Sequence, residues 1–299
     1  MDPSTLTRTR LAPTPSGFLH LGNVLSFAIT AGLAERSHAR ILLRIDDLDR
    51  QRIRKQYVQD VFDTLNFLEI PWHEGPSDPR DHWKNYAQVH RMHLYKEALL
   101  RLRESGCLFA CTCSRTSAQG LNGCRDKQIP YNTENVSWRL RTNGSGGLAE
   151  CGLPASMQDF IVRRKDRLPS YQLASVVDDL YFGIDLVVRG ADLLESTLAQ
   201  RYLAAVLKET GYAAGPAEKA WPGRFSQIAF HHHRLVLHPD GTKLCKSTGS
   251  SADGEFSVAG LRKMGKKRKD IFMLIGSLLQ IREPVQDWQS LAAAVLARA

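Results

Sequence analysis

The chain has no long apolar run: none of its 299 residues falls in a stretch approaching the roughly 18 apolar side chains that span a bilayer. The longest candidate, residues 271–281, is too short and reads as a buried helix. The opening MDPSTLTRTR has no apolar core that could serve as a secretory signal. A cytoplasmic location is therefore expected. Cysteine is sparse, with six residues at 107, 111, 113, 124, 151 and 245. In the cytosol they are expected to be free thiols or metal ligands rather than disulfides. Internal repeats and long low-complexity linkers are absent, which excludes a solenoid or an extended linker protein. Acidic residues fall short as well, with 31 Asp+Glu against 40 Lys+Arg and a net charge of +9. That surplus favours an anionic partner such as nucleic acid, although many basic proteins bind none.

What is present is an ordinary globular composition, 43% hydrophobic and 24% charged, in a chain long enough to bury a full core. Residues 9–12 read as a short strand ending at Pro13 and Pro15. Residues 22–36 have helical apolar spacing through Leu25, Ile29 and Leu33. The run RILLRID at 40–46 suits a strand covered on both faces, and 58–68 and 86–102 are amphipathic helices. Strand and helix in alternation predict an α/β fold with a Rossmann-like, doubly wound parallel sheet. Residues 107–158 break the pattern and hold five of the six cysteines, so they read as an inserted subdomain. The α/β pattern resumes with DFIVRR at 159–164, SYQLASVVDDLYFGIDLVVRG at 170–190 and a helix over about 192–210. A strand-like stretch at 235–238 leads into the turn Pro239-Asp240-Gly241, and a short basic helical tail follows. The expected organisation is a catalytic domain in two halves, 1–106 and 159–250, around the insertion, with a tail over 251–299.

Two segments carry phosphate chemistry. In RLAPTPSGFLHLGN, at 10–23, a strand leaves the sheet through a Pro/Gly turn and His20-Leu21-Gly22-Asn23 opens a helix. Backbone N–H groups and an imidazole are thereby offered to a nucleotide phosphate, and Gly22 permits close approach. The competing reading is a capping turn with a surface histidine. In GTKLCKS, at 241–247, Lys243 and Lys246 follow a tight turn and are able to reach a triphosphate. By itself that segment also suits a solvated basic loop.

Taken together, an H-x-G-x element in the first βα turn and a K-x-x-K-S loop about 220 residues later resemble the signatures of class I aminoacyl-tRNA synthetases. RLAPTPSGFLHLGN, LLRIDDLD at 42–49, VVRGADLLEST at 187–197 and DGTKLCKS at 240–247 are similar, in the same order, to the glutamyl-tRNA synthetase subfamily. The resemblance covers residues 8–250 and implies ATP-dependent formation of an acyl-adenylate. It implies that Arg10, Thr14, Asp46, Tyr171 and Arg189 hold L-glutamate. His20, Gly22, Asn23 and Lys246 would face ATP, and His20, Lys243 and Lys246 would act in catalysis with Mg2+ on the phosphates. Arg189 offers a planar fork for the side-chain carboxylate. The chain departs from the subfamily at Asp46, where glutamate is usual, and at Cys245, where serine is usual. Aspartate at the first position also occurs in glutaminyl enzymes, but a buried Arg189 facing a neutral amide would lack a charge partner.

Cys111, Cys113 and Cys124 place three thiols within 14 residues, which suits a tetrahedral Zn2+ site. The tyrosine that the subfamily places among these cysteines is missing, and Tyr131 or Cys107 is the candidate fourth ligand. The alternative is a set of reduced cysteines left from an ancestral site. Residues 262–269, RKMGKKRK, are six basic residues in eight. Lys263, Lys266, Lys267, Arg268 and Lys269 are expected to contact an RNA backbone. The chain ends about fifty residues after Lys246, too soon for the helical region that reads the anticodon in discriminating enzymes. It therefore resembles the short glutamyl-Q tRNA(Asp) synthetases, which transfer activated glutamate to queuosine in the anticodon loop of tRNA(Asp). A monomer is expected. Competing readings are the same chemistry with another acceptor, an inactive RNA-binding paralogue, and a nucleotidyltransferase acting on a small acid.

Overall fold

The computed structural model describes residues 6–113, 122–142, 152–215, 222–237 and 257–298. The chain begins with β1 (Arg8–Leu11), α1 (Leu21–Ser37), β2 (Arg40–Leu43) and α2 (Lys55–Leu68). A single turn, α3 (Pro79–Asp81), runs into a π-helical turn at His82–Tyr86 and a 3-10 turn at Gln88–Arg91 before α4 (Met92–Glu104). There follow β3 (Leu108–Cys111), α5 (Asn122–Arg125), β4 (Ser137–Leu140), β5 (Ile161–Arg163), α6 (Tyr171–Tyr181), β6 (Leu186–Gly190) and α7 (Leu194–Glu209). The remainder is β7 (Ala229–His233), α8 (Val258–Lys263), α9 (Arg268–Leu278) and α10 (Trp288–Leu296). No helix among the described residues is long and apolar enough to cross a membrane.

Two compact units divide the chain. The first takes the residues up to His90, Asp185–Asp192 and the chain from Ala229 onward; the second takes Arg91–Ile184 and Leu193–Ile228. The first unit is built on a parallel sheet of order β2-β1-β6-β7. After their first residues β1 and β2 are buried without alternation, because both faces of the sheet are covered, although β1 (RTRL) carries arginine and threonine where β2 (RILL) is apolar. Helix α1 is buried along most of its length, whereas α2 turns one face to the core, through Val58, Val61, Phe62, Leu65 and Leu68. The basic tail is helical, as its pattern suggests, and its apolar face belongs to the same core through Ile271, Phe272, Ile275, Trp288 and Leu291. Helix α10 lies against α1 so closely that a Cβ on Gly32 would meet the Ala292 Cβ at 2.5 Å. Only glycine permits that approach.

The second unit combines an antiparallel sheet, β3-β4-β5, with α4, α6 and α7. Its most constrained polar group is Asp178 on α6, which is fully buried and takes Arg91 at 2.8 and 3.1 Å and the Tyr95 hydroxyl at 2.6 Å.

Local differences from the sequence reading have identifiable causes. The last strand among the described residues is Ala229–His233, whose backbone pairs in register with β6 from Leu186↔Ala229 to Gly190↔His233, while of the strand expected at 235–238 residues 235–237 belong to no strand and 238 lies outside the described residues. The helix expected from residue 86 begins at Met92. Upstream, the buried Asp47 carboxylate accepts the Gln88 N–H at 2.9 Å and the His82 ring at 3.2 Å, which binds that stretch to the 44–49 segment instead.

Candidate active site

In a parallel sheet the carboxyl ends of the strands leave a crevice where the winding reverses. Here the reversal lies between β1 and β6, and of the residues singled out from sequence Arg10, Thr14, His20, Asp46 and Arg189 lie on or just after the strands at that end of the first unit. Beyond the strands the backbone keeps the β1–β2 pairing: Arg44 N–H donates to Leu11 O (2.8 Å) and Asp46 N–H to Pro13 O (3.0 Å). The segment carrying Asp46 is thereby fixed alongside the one carrying Thr14.

Three guanidiniums are buried at this end: Arg10 on β1, Arg44 just after β2 and Arg189 on β6. Arg10 donates to the Val188 carbonyl at 3.4 Å. Arg189 lies over the Phe230 ring, 4.8 Å from its centroid, in an arrangement that holds the fork by cation–π attraction. Arg44 grips Asp46 through both nitrogens, at 2.8 and 3.2 Å. Three cations thus share this strand end with the Asp46 carboxylate, and Asp192 follows β6, so groups of both signs are offered to a ligand that carries carboxylates and an amine. The chain can come close here because Gly190 closes β6: a Cβ at that position would lie 2.5 Å from Asp192 Oδ1.

The turn after β1 ends at His20, which is the N-cap of α1. Its Nδ1 accepts the Gly22 N–H (3.1 Å), and Asn23 Oδ1 accepts the His20 N–H (3.1 Å). This is a capping box in which imidazole takes the place of the usual hydroxyl. Both readings of the motif are therefore realised: His20 caps, and capping through Nδ1 keeps its proton on Nε2, a donor suited to a phosphate oxygen. The preceding Leu19 N–H donates to Asp60 Oδ2 at 2.8 Å. Burial dominates at Asp60 and raises its pKa against the lowering effect of that bond and of Thr64.

Sequence reasoning did not single out Arg44, Asp60, Phe230, the Asp47–His82 pair or His233. With its proton committed on Nδ1 to the Arg234 carbonyl (2.8 Å), His233 accepts at Nε2 from the Ser26 hydroxyl, 2.6 Å away on α1. Burial holds His231 and His233 below the ordinary histidine pKa. The run AFHHH was the available signal, because alternation along β7 sends Phe230 and His232 to one face and His231 and His233 to the other.

Tyr171 belongs to the second unit, where it is the exposed first residue of α6, capped by the Ser170 hydroxyl. Lys243 and Lys246 lie outside the described residues, as do Cys151 and Cys245. In the second unit Cys111, Cys113 and Cys124 bring their sulfurs within 4.8 Å of one another, with Cys113 and Cys124 3.4 Å apart. A hydrogen bond to Cys124, with burial, pushes the Cys113 thiol up to about 11. Burial raises Cys124 too, but hydrogen bonds from the Thr112 backbone and Cys113 outweigh it and bring it down to about 7. One thiolate forms first and the other thiol points at it, a donor set that fits a soft divalent ion. Tyr131 donates its hydroxyl to Leu108 O (2.7 Å), and Cys107 to Ser105 O (3.8 Å).

The basic cluster spans the turn between α8 and α9, with Lys263, Lys266, Lys267 and Lys269 exposed. Arg262 covers the Phe67 ring at 4.8 Å and Arg268 pairs with Glu69, so both arginines also anchor the tail to α2.

The family model described as tRNA synthetases class I (E and Q), catalytic domain, matches residues 7–145. A glutamyl-Q tRNA(Asp) synthetase of Symbiobacterium thermophilum is 31% identical over an alignment covering 97% of this chain and 92% of that protein. Another, from a Synechococcus species, is 34% identical, covering 91% of this chain and 81% of the relative. Among solved structures, the glutamate-tRNA synthetase of Elizabethkingia anophelis superposes with a TM-score of 0.65 at 19% identity. That superposition takes in 96% of this chain but only 65% of the other, and it establishes a shared fold. With the parallel sheet, the capped His20 turn and these alignments together, the chain belongs to the glutamyl-Q tRNA(Asp) synthetase family, within the glutamate and glutamine branch of the class I tRNA synthetases.

Proposed function

We propose that this chain activates L-glutamate with ATP and transfers the glutamyl group to the queuosine base in the anticodon loop of tRNA(Asp). The observation that carries the reading is the gathering of Arg10, Arg44, Arg189 and Asp46 at the strand ends beside the capped His20 turn. Glutamate brings two carboxylates and one ammonium. Arg189 takes the side-chain carboxylate, Asp46 the ammonium, and Arg10 and Thr14 the remaining polar edge, with Tyr171 completing the orientation. A carboxylate oxygen of glutamate attacks the α-phosphorus of ATP, and the bond to pyrophosphate breaks. His20 Nε2–H and the N–H groups of the Gly22–Asn23 turn meet phosphate oxygens, while Lys243 and Lys246 neutralise charge that develops in the transition state. A hydroxyl of the modified base then attacks the acyl carbon, its proton departs to solvent, and AMP leaves. Positioning supplies much of the acceleration, because no protein atom enters a covalent intermediate.

ATP is used with Mg2+. Cys111, Cys113 and Cys124 would hold Zn2+, which when bound ties the start of the loop after β3 to α5. Lys263, Lys266, Lys267, Arg268 and Lys269 contact the RNA backbone. The enzyme works as a cytoplasmic monomer, with catalytic halves 1–106 and 159–250 around the 107–158 insertion and a tail at 251–299.

The test is amino-acid-dependent ATP–pyrophosphate exchange with glutamate, glutamine and aspartate, in the presence and absence of tRNA. Exchange with glutamate alone and no tRNA is expected. An absolute requirement for tRNA, or equal exchange with glutamine, would overturn the assignment.

A further inference from the structure

The first unit carries an open groove of about 790 Å³ lined by Lys55, Gln56, Gln59, Arg80, Trp83 and Lys84 beside Pro79. The Trp83 side chain, 39% exposed, forms part of the wall, and the charged residues lining the groove are all cations. Lys55, Arg80 and Lys84 are exposed, and none of them forms an ion pair with a described residue. Asp81 faces Lys84 at longer range, but its carboxylate is held by the Ser77 N–H at 2.9 Å and the Asn85 amide at 2.8 Å.

The indole is not a loose surface side chain. It sits in the π-helical turn His82–Tyr86, an element rare enough that it often marks a functional position. The fully buried His82 packs edge-on against it, with ring centroids 4.9 Å apart. His82 is itself fixed by Asp47, and the Trp83 carbonyl accepts from His90 Nε2 at 3.1 Å. The Asp78 side chain caps the turn leading into it. A rigid aromatic face flanked by unpaired cations is the arrangement by which proteins hold single-stranded nucleic acid, the base stacking while the phosphates meet positive charge. Because such a platform is ordered beforehand, little entropy is lost on binding.

We propose that this groove is an RNA contact in which an unpaired base stacks on Trp83 and the flanking phosphates lie on Lys55, Arg80 and Lys84. The inference rests on the reading that the chain acts on a tRNA, and it adds a surface distinct from the basic tail. Asp47, which anchors the platform through His82, directly follows Asp46, so the contact is tied to the segment proposed to hold glutamate.

The experiment measures binding of a tRNA(Asp) transcript by the full chain at several salt concentrations, without glutamate or ATP, so that it reads independently of the adenylation chemistry. Glutamate-dependent exchange on the parent protein reports the other reading separately. Trp83→Ala is expected to weaken binding by about tenfold and Trp83→Phe by far less, since stacking survives in the latter. The triple variant Lys55→Glu, Arg80→Glu, Lys84→Glu is expected to weaken it at least as much. Its plot of log affinity against log salt should flatten by about 2, the value for three phosphates on a single strand. Thermal midpoints check folding, and the triple variant carries the test if Trp83→Ala is unstable. Unchanged affinity in the folded variants would overturn the proposal, as would equal losses for Trp83→Phe and Trp83→Ala. Protection of the groove by ATP alone, with RNA affinity unaffected, would assign it to a free nucleotide and also overturn it.

Discussion

Among the described residues, two forks of a buried arginine on a carboxylate, one in each compact unit, have almost identical geometry. Arg44 meets Asp46 at 2.8 and 3.2 Å, and Arg91 meets Asp178 at 2.8 and 3.1 Å. Distance does not distinguish them; surroundings do. Asp178 is sealed, with no exposed side-chain surface and a tyrosine hydroxyl added to the fork, whereas Asp46 keeps 12% of its side chain open at the strand ends. A buried ion pair gains little over apolar packing, but removing one partner leaves a charge that nothing can solvate. The sealed fork therefore locks α4 to α6, while the open one retains an edge that a substrate ammonium can reach.

The largest expected effect breaks the sealed fork. Asp178→Ala is expected to lower the unfolding free energy by about 3–5 kcal/mol, read from the urea midpoint, while the protein that remains folded keeps its parent KM for glutamate. A cost near zero would mean that solvent reaches this pair and that the contrast between the forks is false. Asp46→Asn comes next. It keeps an acceptor for Arg44, so the stability loss should be less than half that of Asp178→Ala, while glutamate-dependent exchange falls roughly tenfold to hundredfold in kcat/KM. That range corresponds to one charged hydrogen bond of about 1.5–3 kcal/mol. If Asp46→Asn lost stability without losing exchange, both forks would be structural.

Much of this contrast was readable in the sequence for one fork and not for the other. Arg44 and Asp46 lie two residues apart in an apolar run that announces a buried strand, so their shared end of the sheet follows from spacing. Arg91 and Asp178 are 87 residues apart and sit in unremarkable helical patterns. Nothing local signals their pairing, because long-range partners depend on how helices pack rather than on periodicity. The same limit applies to Asp60, which lies 41 residues beyond the Leu19 N–H it accepts. The His20 turn was legible because capping chemistry is local. The strand at Ala229–His233 was not, because its run of three histidines lacks the apolar signature that 235–238 imitates.

Asp60 sharpens the comparison as a buried carboxylate with no fork. It holds the Leu19 N–H in front of His20, and Thr64 donates a longer bond at 3.4 Å. Asp60→Ala is expected to cost about 1–3 kcal/mol, the penalty for a buried N–H left unsatisfied, and to reduce exchange by displacing His20. Asp60→Asn keeps an oxygen facing Leu19 and should lose much less of both. Equal losses in the two variants would mean that the charge, and not the hydrogen bond, positions the turn.

The smallest effect concerns pH and extends the contrast to groups buried without any opposite charge in contact. Burial lowers the pKa of His231 and His233 from the ordinary 6.5, so the folded state resists protonation that the unfolded state accepts. The stability they contribute is fully present above pH 6.5 and is lost as the pH falls through the depressed folded-state values. Asp60 works in the opposite sense: its raised pKa favours the folded state at low pH, and that contribution is lost as the pH rises through the folded-state value. Urea midpoints measured over about pH 5–7 should therefore fall toward the acid end. His233→Leu should flatten that slope, since it removes the deeper of the two imidazoles. Its Nε2 accepts the Ser26 hydroxyl, and a proton there would remove the acceptor that joins β7 to the first turns of α1. A slope unchanged by His233→Leu would place the titration on His231 or elsewhere, and would mean that His233 binds its proton equally well in the folded and unfolded chains.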